Sequence, residues 1–232
     1  MATDPFPKRW VQQIFPTLVW ISDLAPEAAT ALNRRLQAEL DLLLRPPAEG
    51  LAPGRTNWQT DPTLHRLAQF AGFVSLAEQA GRDAADYLKL RHRDLVMTGC
   101  WANLNPPQGY NPSHIHPNNY LSGVYYVSIP GDEGAISFED PRPQTQVIMP
   151  PVREQTPLNG NMVTFRVKAG RMVLFPAWLP HSVPLNRSEG NRISIAFTLM
   201  FRDYVADASA PLWQGSHPVT VPDGPTGDRS TS

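Results

Sequence analysis

Cysteine is almost absent. The 232-residue chain has one, Cys100, so no internal disulfide can staple the fold, and a single thiol in a strand-like run reads as buried and inert. An excess of either charge is missing too. Twenty Lys and Arg against 21 Asp and Glu leave a net charge of -1, which offers no footprint for a polyanion or an anionic membrane, and no nucleic-acid partner is expected. No apolar run is long enough to span a bilayer, and the opening Met1-Ala2-Thr3-Asp4-Pro5 lacks the apolar centre of a signal peptide. A cytoplasmic protein with no membrane association is the expectation. The chain also lacks a glycine-rich phosphate loop and the strained nucleophile turn of a hydrolase, which removes those two chemistries.

What remains is globular composition, 41% hydrophobic and 18% charged, enough apolar surface for one sizeable core. A single domain over 1–205 is expected, with helical support in 1–94, a β domain in 95–205 and a flexible tail in 206–232 rich in Pro, Gly, Ser, Thr and Asp. The 25 prolines punctuate the chain and rarely allow a long helix beyond the first third.

After a strand candidate at 14–22, Asp23 and Pro26 introduce a segment with Leu32, Leu36, Leu40 and Leu43 on one helical stripe, an amphipathic helix. A second helical region over about 62–90 is expected to break near Gly72. From Leu95 the period switches to two, and strands are expected at 95–104, 120–129, 134–140, 145–151, 160–168, 171–176 and 191–202. In the last, Arg192, Ser194, Ala196 and Thr198 alternate with Ile193, Ile195, Phe197 and Leu199, so one face meets a polar site and the other packs on helices. Helices followed by many short strands point to a β-sandwich or barrel with helices on one sheet.

Two of the six histidines stand in His114-Ile115-His116. On an extended strand, side chains two apart share a face, so both imidazoles can reach one ion, and Pro117 biases His116 toward extended geometry. The alternative is a pair of exposed histidines on a polar loop. A third, His181, closes a strand and a proline-containing turn, Gly170 to Pro180. Eleven residues later Arg192 sits on the polar face of the last strand, where its fork can bind a carboxylate with help from Ser194. Asn103, Asn105 and Tyr125 fall on strands that line the barrel, as candidate contacts to cofactor or substrate, with Asn103 and Tyr125 assigned to the cofactor. Arg142, fixed between Pro141 and Pro143, is a candidate anion contact for a substrate, a salt bridge to Glu139 or Asp140 being the alternative. His65 and His92 read as surface or capping residues, and His217 lies in the tail.

The patterns His114-x-His116-Pro117, Leu121 to Val127, Phe138-x-Asp140-Pro141-Arg142, Phe175-Pro176-x-x-Leu179-x-His181 and Asn191-Arg192-x-Ser194 resemble the 2-oxoglutarate- and Fe(II)-dependent oxygenases of bacteria and phages. More distantly they are similar to prolyl hydroxylases. Phe15-Pro16-Thr17 and Asn57-Trp58-Gln59-Thr60 extend the likeness over most of the chain. The resemblance implies a double-stranded β-helix (a jelly roll, cupin-like) with helices packed on one sheet. It implies Fe(II) held by His114 and His181, and 2-oxoglutarate held through its distal carboxylate by Arg192 and Ser194. It further implies a 2-oxoglutarate-dependent dioxygenase of the hydroxylase type, which consumes molecular oxygen and releases succinate and CO2 while oxidising a C–H bond of a small-molecule or peptide substrate.

One position departs from that pattern. His116 stands where the family carries Asp or Glu, so either three imidazoles hold the ion, or a carboxylate arrives from elsewhere, Asp140 being the candidate. Two other functions stay open: a cupin-type three-histidine dioxygenase or isomerase without 2-oxoglutarate, and a non-catalytic binding module. A homodimer is also open.

Overall fold

The computed structural model describes residues 5–6, 8–44, 56–91, 94–131 and 134–207. Two antiparallel sheets face each other, and two helices cover the outside of the larger one. This is the double-stranded β-helix with helices on one sheet that the sequence implies.

The first helix, α1, runs Pro26–Leu43, with Pro26 in its first turn, where a missing N–H costs nothing, and with Leu36 and Leu40 fully buried. Short 3-10 turns at Leu64–Arg66 and Ala68–Phe70 lead into α2, Ala71–Tyr87. The expected break therefore falls before Ala71, and Gly72 lies inside the helix. The buried face of α2 is mostly small: Ala77, Gly81, Ala84 and Ala85, with Phe73 as its one large anchor. A Cβ on Gly81 would come within 2.5 Å of Leu199 Cδ1, so glycine here sets how closely the helix lies on the sheet.

The larger sheet contains β1 (Trp20–Asp23), β2 (Trp58–Gln59), β3 (Leu95–Asn105), β5 (Leu121–Ser128), β8 (Arg171–Pro176) and β10 (Arg192–Phe201). Its order is β1-β8-β5-β10-β3-β2. The smaller sheet contains β4 (Asn111–His114), β6 (Ala135–Glu139), β7 (Met162–Arg166) and β9 (His181–Val183), in the order β4-β9-β6-β7.

β10 alternates as its sequence predicts. Ile193, Ile195, Phe197 and Leu199 join the core beneath the helices, where Phe73 packs edge-on against Phe197 with ring centroids 5.9 Å apart. Full burial of each such side chain contributes about 2 kcal/mol. Gly123 is needed at the same layer, because a Cβ there would sit 2.3 Å from the Phe197 ring. A second core, including Val124, Tyr126, Ile136, Phe138 and Phe175, fills the space between the sheets.

Several expected boundaries shift. The strand expected at 14–22 is confined to β1. The stretch 145–151 is not a strand: a 3-10 turn spans Pro143–Gln146, and Val147 and Ile148 beyond it are 79% and 78% exposed. With Pro150 and Pro151 adjoining and no partner strand at hand, that apolar run has no ladder to join. The tail expected at 206–232 begins inside a short helix, α3, Arg202–Asp207, and 208–232 lie outside the described residues, as does His92. Among the described residues, no helix is long and apolar enough to cross a membrane.

Candidate metal and cofactor site

The site begins with the pairing of β4 and β9. His114 sits opposite His181, and a bulge separates that pair from Asn111↔Val183. Pro112, which has no N–H to give a ladder, lies within the irregularity. The expected strand through His116 stops at His114. His116 is placed instead by its own backbone, whose N–H donates to the Ala177 carbonyl at 2.9 Å, and by the Trp101 ring, 5.5 Å away between centroids.

The three imidazoles converge. Ring centroids are 4.3 Å apart for His114–His181, 4.9 Å for His114–His116 and 5.1 Å for His116–His181. Candidate ligand atoms of all three lie within 4.8 Å of one another, the one such group among the described residues. Nitrogen–metal bonds of about 2.1 Å put the ligand atoms of one ion about 3.0–3.4 Å apart, so the rings would draw together by about an ångström or more. Two of the rings are also oriented for it. His114 Nδ1 lies 2.8 Å from the Pro112 carbonyl and His181 Nδ1 2.9 Å from the Leu179 carbonyl. A carbonyl only accepts, so each Nδ1 carries the hydrogen and each Nε2 keeps its lone pair.

Burial lowers the His116 pKa to about 2, with His181 and His114 adding to the effect. His181 is lowered to about 3, again mainly by burial and then by His114, while its bond to the Leu179 carbonyl opposes the shift. Both rings are therefore neutral across the physiological range, the form that binds a metal.

Arg192, Ser194 and Asn103 line the same narrow cleft as the three histidines. Arg192 is 2% exposed, and among the described residues its guanidinium makes one hydrogen bond, a long one of 3.4 Å from Nη2 to the Pro184 carbonyl. Its Nη1 is buried with no partner among the described residues. Burial lowers its pKa below the ordinary arginine value. A guanidinium held this way without a carboxylate is costly, and an incoming anion relieves that cost.

Tyr125 is not in this cleft. Its ring packs 5.7 Å from Phe73 beneath the helices, and its hydroxyl donates to Asn33 Oδ1 at 2.6 Å. Alternation along β5 puts its neighbour Tyr126 on the cleft side, directly opposite Ser194. The Tyr126 hydroxyl is buried without a partner, and burial raises its pKa. Sequence reasoning missed Tyr126. The strand pairing supplies what the β5 pattern lacks, since Tyr126 shares a face with Ser122 and opposes the polar face of β10.

Asp140 and Arg142 are not brought to the histidines. The Arg142 guanidinium donates to both Asp140 carboxylate oxygens, at 2.9 and 2.7 Å, holding that carboxyl below its ordinary pKa. The pair lines a different cleft beside Phe15 and Leu158. The carboxylate offered as the alternative third ligand is thus engaged by Arg142, and Arg142 forms the ion pair that the sequence left open beside a substrate contact. Asn105 is 1% exposed and donates from Nδ2 to Asn111 Oδ1 at 2.8 Å, which ties β3 to the strand carrying His114. His65 lies in a 3-10 turn, half-buried, with its pKa lowered by desolvation. Cys100 is buried, and burial raises its pKa.

The profile of a family described as "Putative 2OG-Fe(II) oxygenase" matches residues 99–198. That stretch holds all three histidines, Arg192 and Ser194. Solved structures share the fold. A Pseudomonas putida prolyl-4-hydroxylase is 17% identical, with a TM-score of 0.55 over 80% of this chain and 94% of that one. HygX from Streptomyces hygroscopicus, solved with nickel, 2-oxoglutarate and hygromycin B, is 14% identical with a TM-score of 0.53, covering 80% and 84%. The non-heme alpha ketoglutarate dependent carbocyclase SnoK from nogalamycin biosynthesis is 13% identical with a TM-score of 0.58, covering 86% and 90%. No curated protein matches the sequence. Residues 99–198 are thus similar to the 2-oxoglutarate/Fe(II) oxygenases, and the solved structures share their fold. Fe(II) and 2-oxoglutarate are the cofactors of that family, and its members are oxidoreductases.

Proposed function

We propose that this chain is a 2-oxoglutarate-dependent dioxygenase of the hydroxylase type, with Fe(II) on His114, His116 and His181 and 2-oxoglutarate on Arg192, Ser194 and Tyr126. The observation that carries the cofactor reading is the orphaned pair, Arg192 Nη1 and the Tyr126 hydroxyl, both buried and unpartnered on the cleft side. A dicarboxylate's distal end supplies the acceptor that both lack. A cupin-type enzyme without 2-oxoglutarate would leave that buried cation with no role.

The metal with its cosubstrate supplies the oxidising chemistry, coupling decarboxylation of 2-oxoglutarate by oxygen to oxidation of a C–H bond, with release of succinate and CO2. The protein's own residues supply placement. The Pro112 and Leu179 carbonyls fix the ring orientations of His114 and His181. Phe175 and Phe138 wall in His181, at 4.6 and 6.3 Å between centroids, and keep water from one side of the centre. Arg192 stays charged and sets the direction in which the cosubstrate lies. The substrate is a small molecule or peptide, and the reduced, buried Cys100 suits a cytoplasmic setting.

The test is anaerobic addition of Fe(II) and then 2-oxoglutarate. A visible charge-transfer band is expected, followed by slow succinate release once oxygen is admitted. Absence of both would overturn the cofactor assignment.

A further inference from the structure

Register places four cleft-facing side chains in one transverse row of the larger sheet. Tyr126 on β5 pairs with Ser194 on β10, Ser194 with Asn103 on β3, and Asn103 with Gln59 on β2, and all four line the cleft. At about 4.8 Å between strands the row spans roughly 14 Å, more than a five-carbon diacid anchored at the Arg192 end can cover. The far end, Gln59 and Asn103, is left for something else. Gln59 Nε2 donates to Asn103 Oδ1 at 2.7 Å, and among the described residues neither amide makes another side-chain hydrogen bond. Whichever way the two amides are turned, one mutual bond leaves the pair with a free N–H and a free carbonyl lone pair side by side.

The charge of the cleft narrows the choice. Apart from Arg192 and the three histidines, every described side chain lining it is uncharged, with Trp101 and Val183 as apolar wall. No carboxylate waits for an ammonium group, and no second cation waits for a second acid.

Building on the oxygenase reading, we propose that Gln59 and Asn103 form the substrate-recognition element, and that they select an uncharged substrate with a donor and an acceptor on one edge, a primary carboxamide or a lactam. A trans secondary amide points its N–H and C=O in opposite directions and meets only half of the pair. Esters and lactones offer no donor to the carbonyl of the pair and so forgo one of its two hydrogen bonds, Gln59 being exposed and Asn103 buried beside it.

The experiment uses the anaerobic protein loaded with Fe(II) and 2-oxoglutarate and four six- or seven-membered rings: ε-caprolactam, ε-caprolactone, cyclohexylammonium and cyclohexanecarboxylate. Paramagnetic relaxation of their protons by the iron reports affinity and closeness to the metal without turnover. The lactam is expected to bind about tenfold more tightly than the lactone and than either ion, the value of one or two net hydrogen bonds. In Gln59→Glu the order should invert, the cyclohexylammonium gaining and the lactam losing by a similar factor. Wild-type protein that shows the 2-oxoglutarate band yet binds the lactam no better than the other rings, or binds none of them, would overturn this inference alone. Wild-type protein without the band would overturn the cofactor reading, and this inference with it.

Discussion

His114 and His181 are mirror partners: they share one register position of β4 and β9, and each gives its Nδ1 hydrogen to the carbonyl two residues earlier in its own chain segment. The two rings are thus each oriented by a hydrogen bond to backbone. His116 has a different support, the Ala177 carbonyl and the Trp101 face, so its replacement should be the gentler one.

Loss of either mirror histidine, in His114→Ala or His181→Ala, should lower Fe(II) affinity by more than about 100-fold, beyond what loss of an outer-sphere partner costs. His116→Asp should keep the site and shift its preference from Co(II) and Zn(II) toward Mn(II), because a carboxylate is a harder ligand than imidazole. Asp140→Ala should leave affinity unchanged. Competition titrations with the three metals measure all of this, and a metal-binding defect in Asp140→Ala would restore the carboxylate alternative.

Arg192→Met should separate stability from binding. Removing a buried guanidinium that has no carboxylate partner should stabilise the apoprotein by about 1–3 kcal/mol in urea unfolding. The same variant should bind metal normally and lose 2-oxoglutarate, together with the ligand-dependent rise in Tm expected of the wild type. A destabilised variant would mean that Arg192 serves the fold.

The adjacent tyrosines should respond in opposite ways. Tyr126→Phe removes a hydroxyl with no partner in the protein, so stability should hold while 2-oxoglutarate affinity falls by about tenfold. Tyr125→Phe breaks the bond to Asn33 and should cost about 1 kcal/mol of stability with 2-oxoglutarate affinity intact. Isotherms and unfolding curves on the two variants decide between them.

At the edge of the larger sheet, Asp23 opposes Arg171 in register and accepts both of its forks at 2.7 and 2.9 Å, with Lys168 at 2.9 Å. Arg171 first, and Lys168 with it, holds the carboxyl well below its ordinary value of 3.8. A depressed folded-state pKa contributes stability that is complete above the unfolded value and is lost as pH falls toward the folded one. Asp23→Asn should therefore be less stable than wild type at pH 7, by at most about 1 kcal/mol for so exposed a pair. The gap should narrow as pH drops below about 4. Unfolding curves at pH 7 and pH 3 check the trend, and a gap that widens in acid would contradict it.

Much of this was legible in the sequence where one face of an element is polar and the other apolar. β10 is such a strand, and its alternation placed Arg192 and Ser194 correctly. β5 is not: Leu121 to Val127 are buried on both faces, so nothing in the pattern told Tyr125 from Tyr126. β4 and β9, of four and three residues, are too short for periodicity, and β4 contains Pro112. Val147-Ile148-Met149 misled in the other direction, as an apolar run without a partner strand. The convergence of His116 with His181 depends on a contact at Ala177 that no local pattern encodes.

β2 is only two residues long, an edge strand held to β3 by two ladder positions and by Thr60, which bonds Ala102 through both backbone and hydroxyl. Because it carries Gln59 but few of the sheet's hydrogen bonds, that exposed side chain can be exchanged at small cost to folding, while Arg192 and Ser194 stay on the ten-residue β10. Selectivity and reactivity are thereby inherited separately, so that exchanges at position 59 alone could redirect the enzyme to new compounds without rebuilding its catalytic centre.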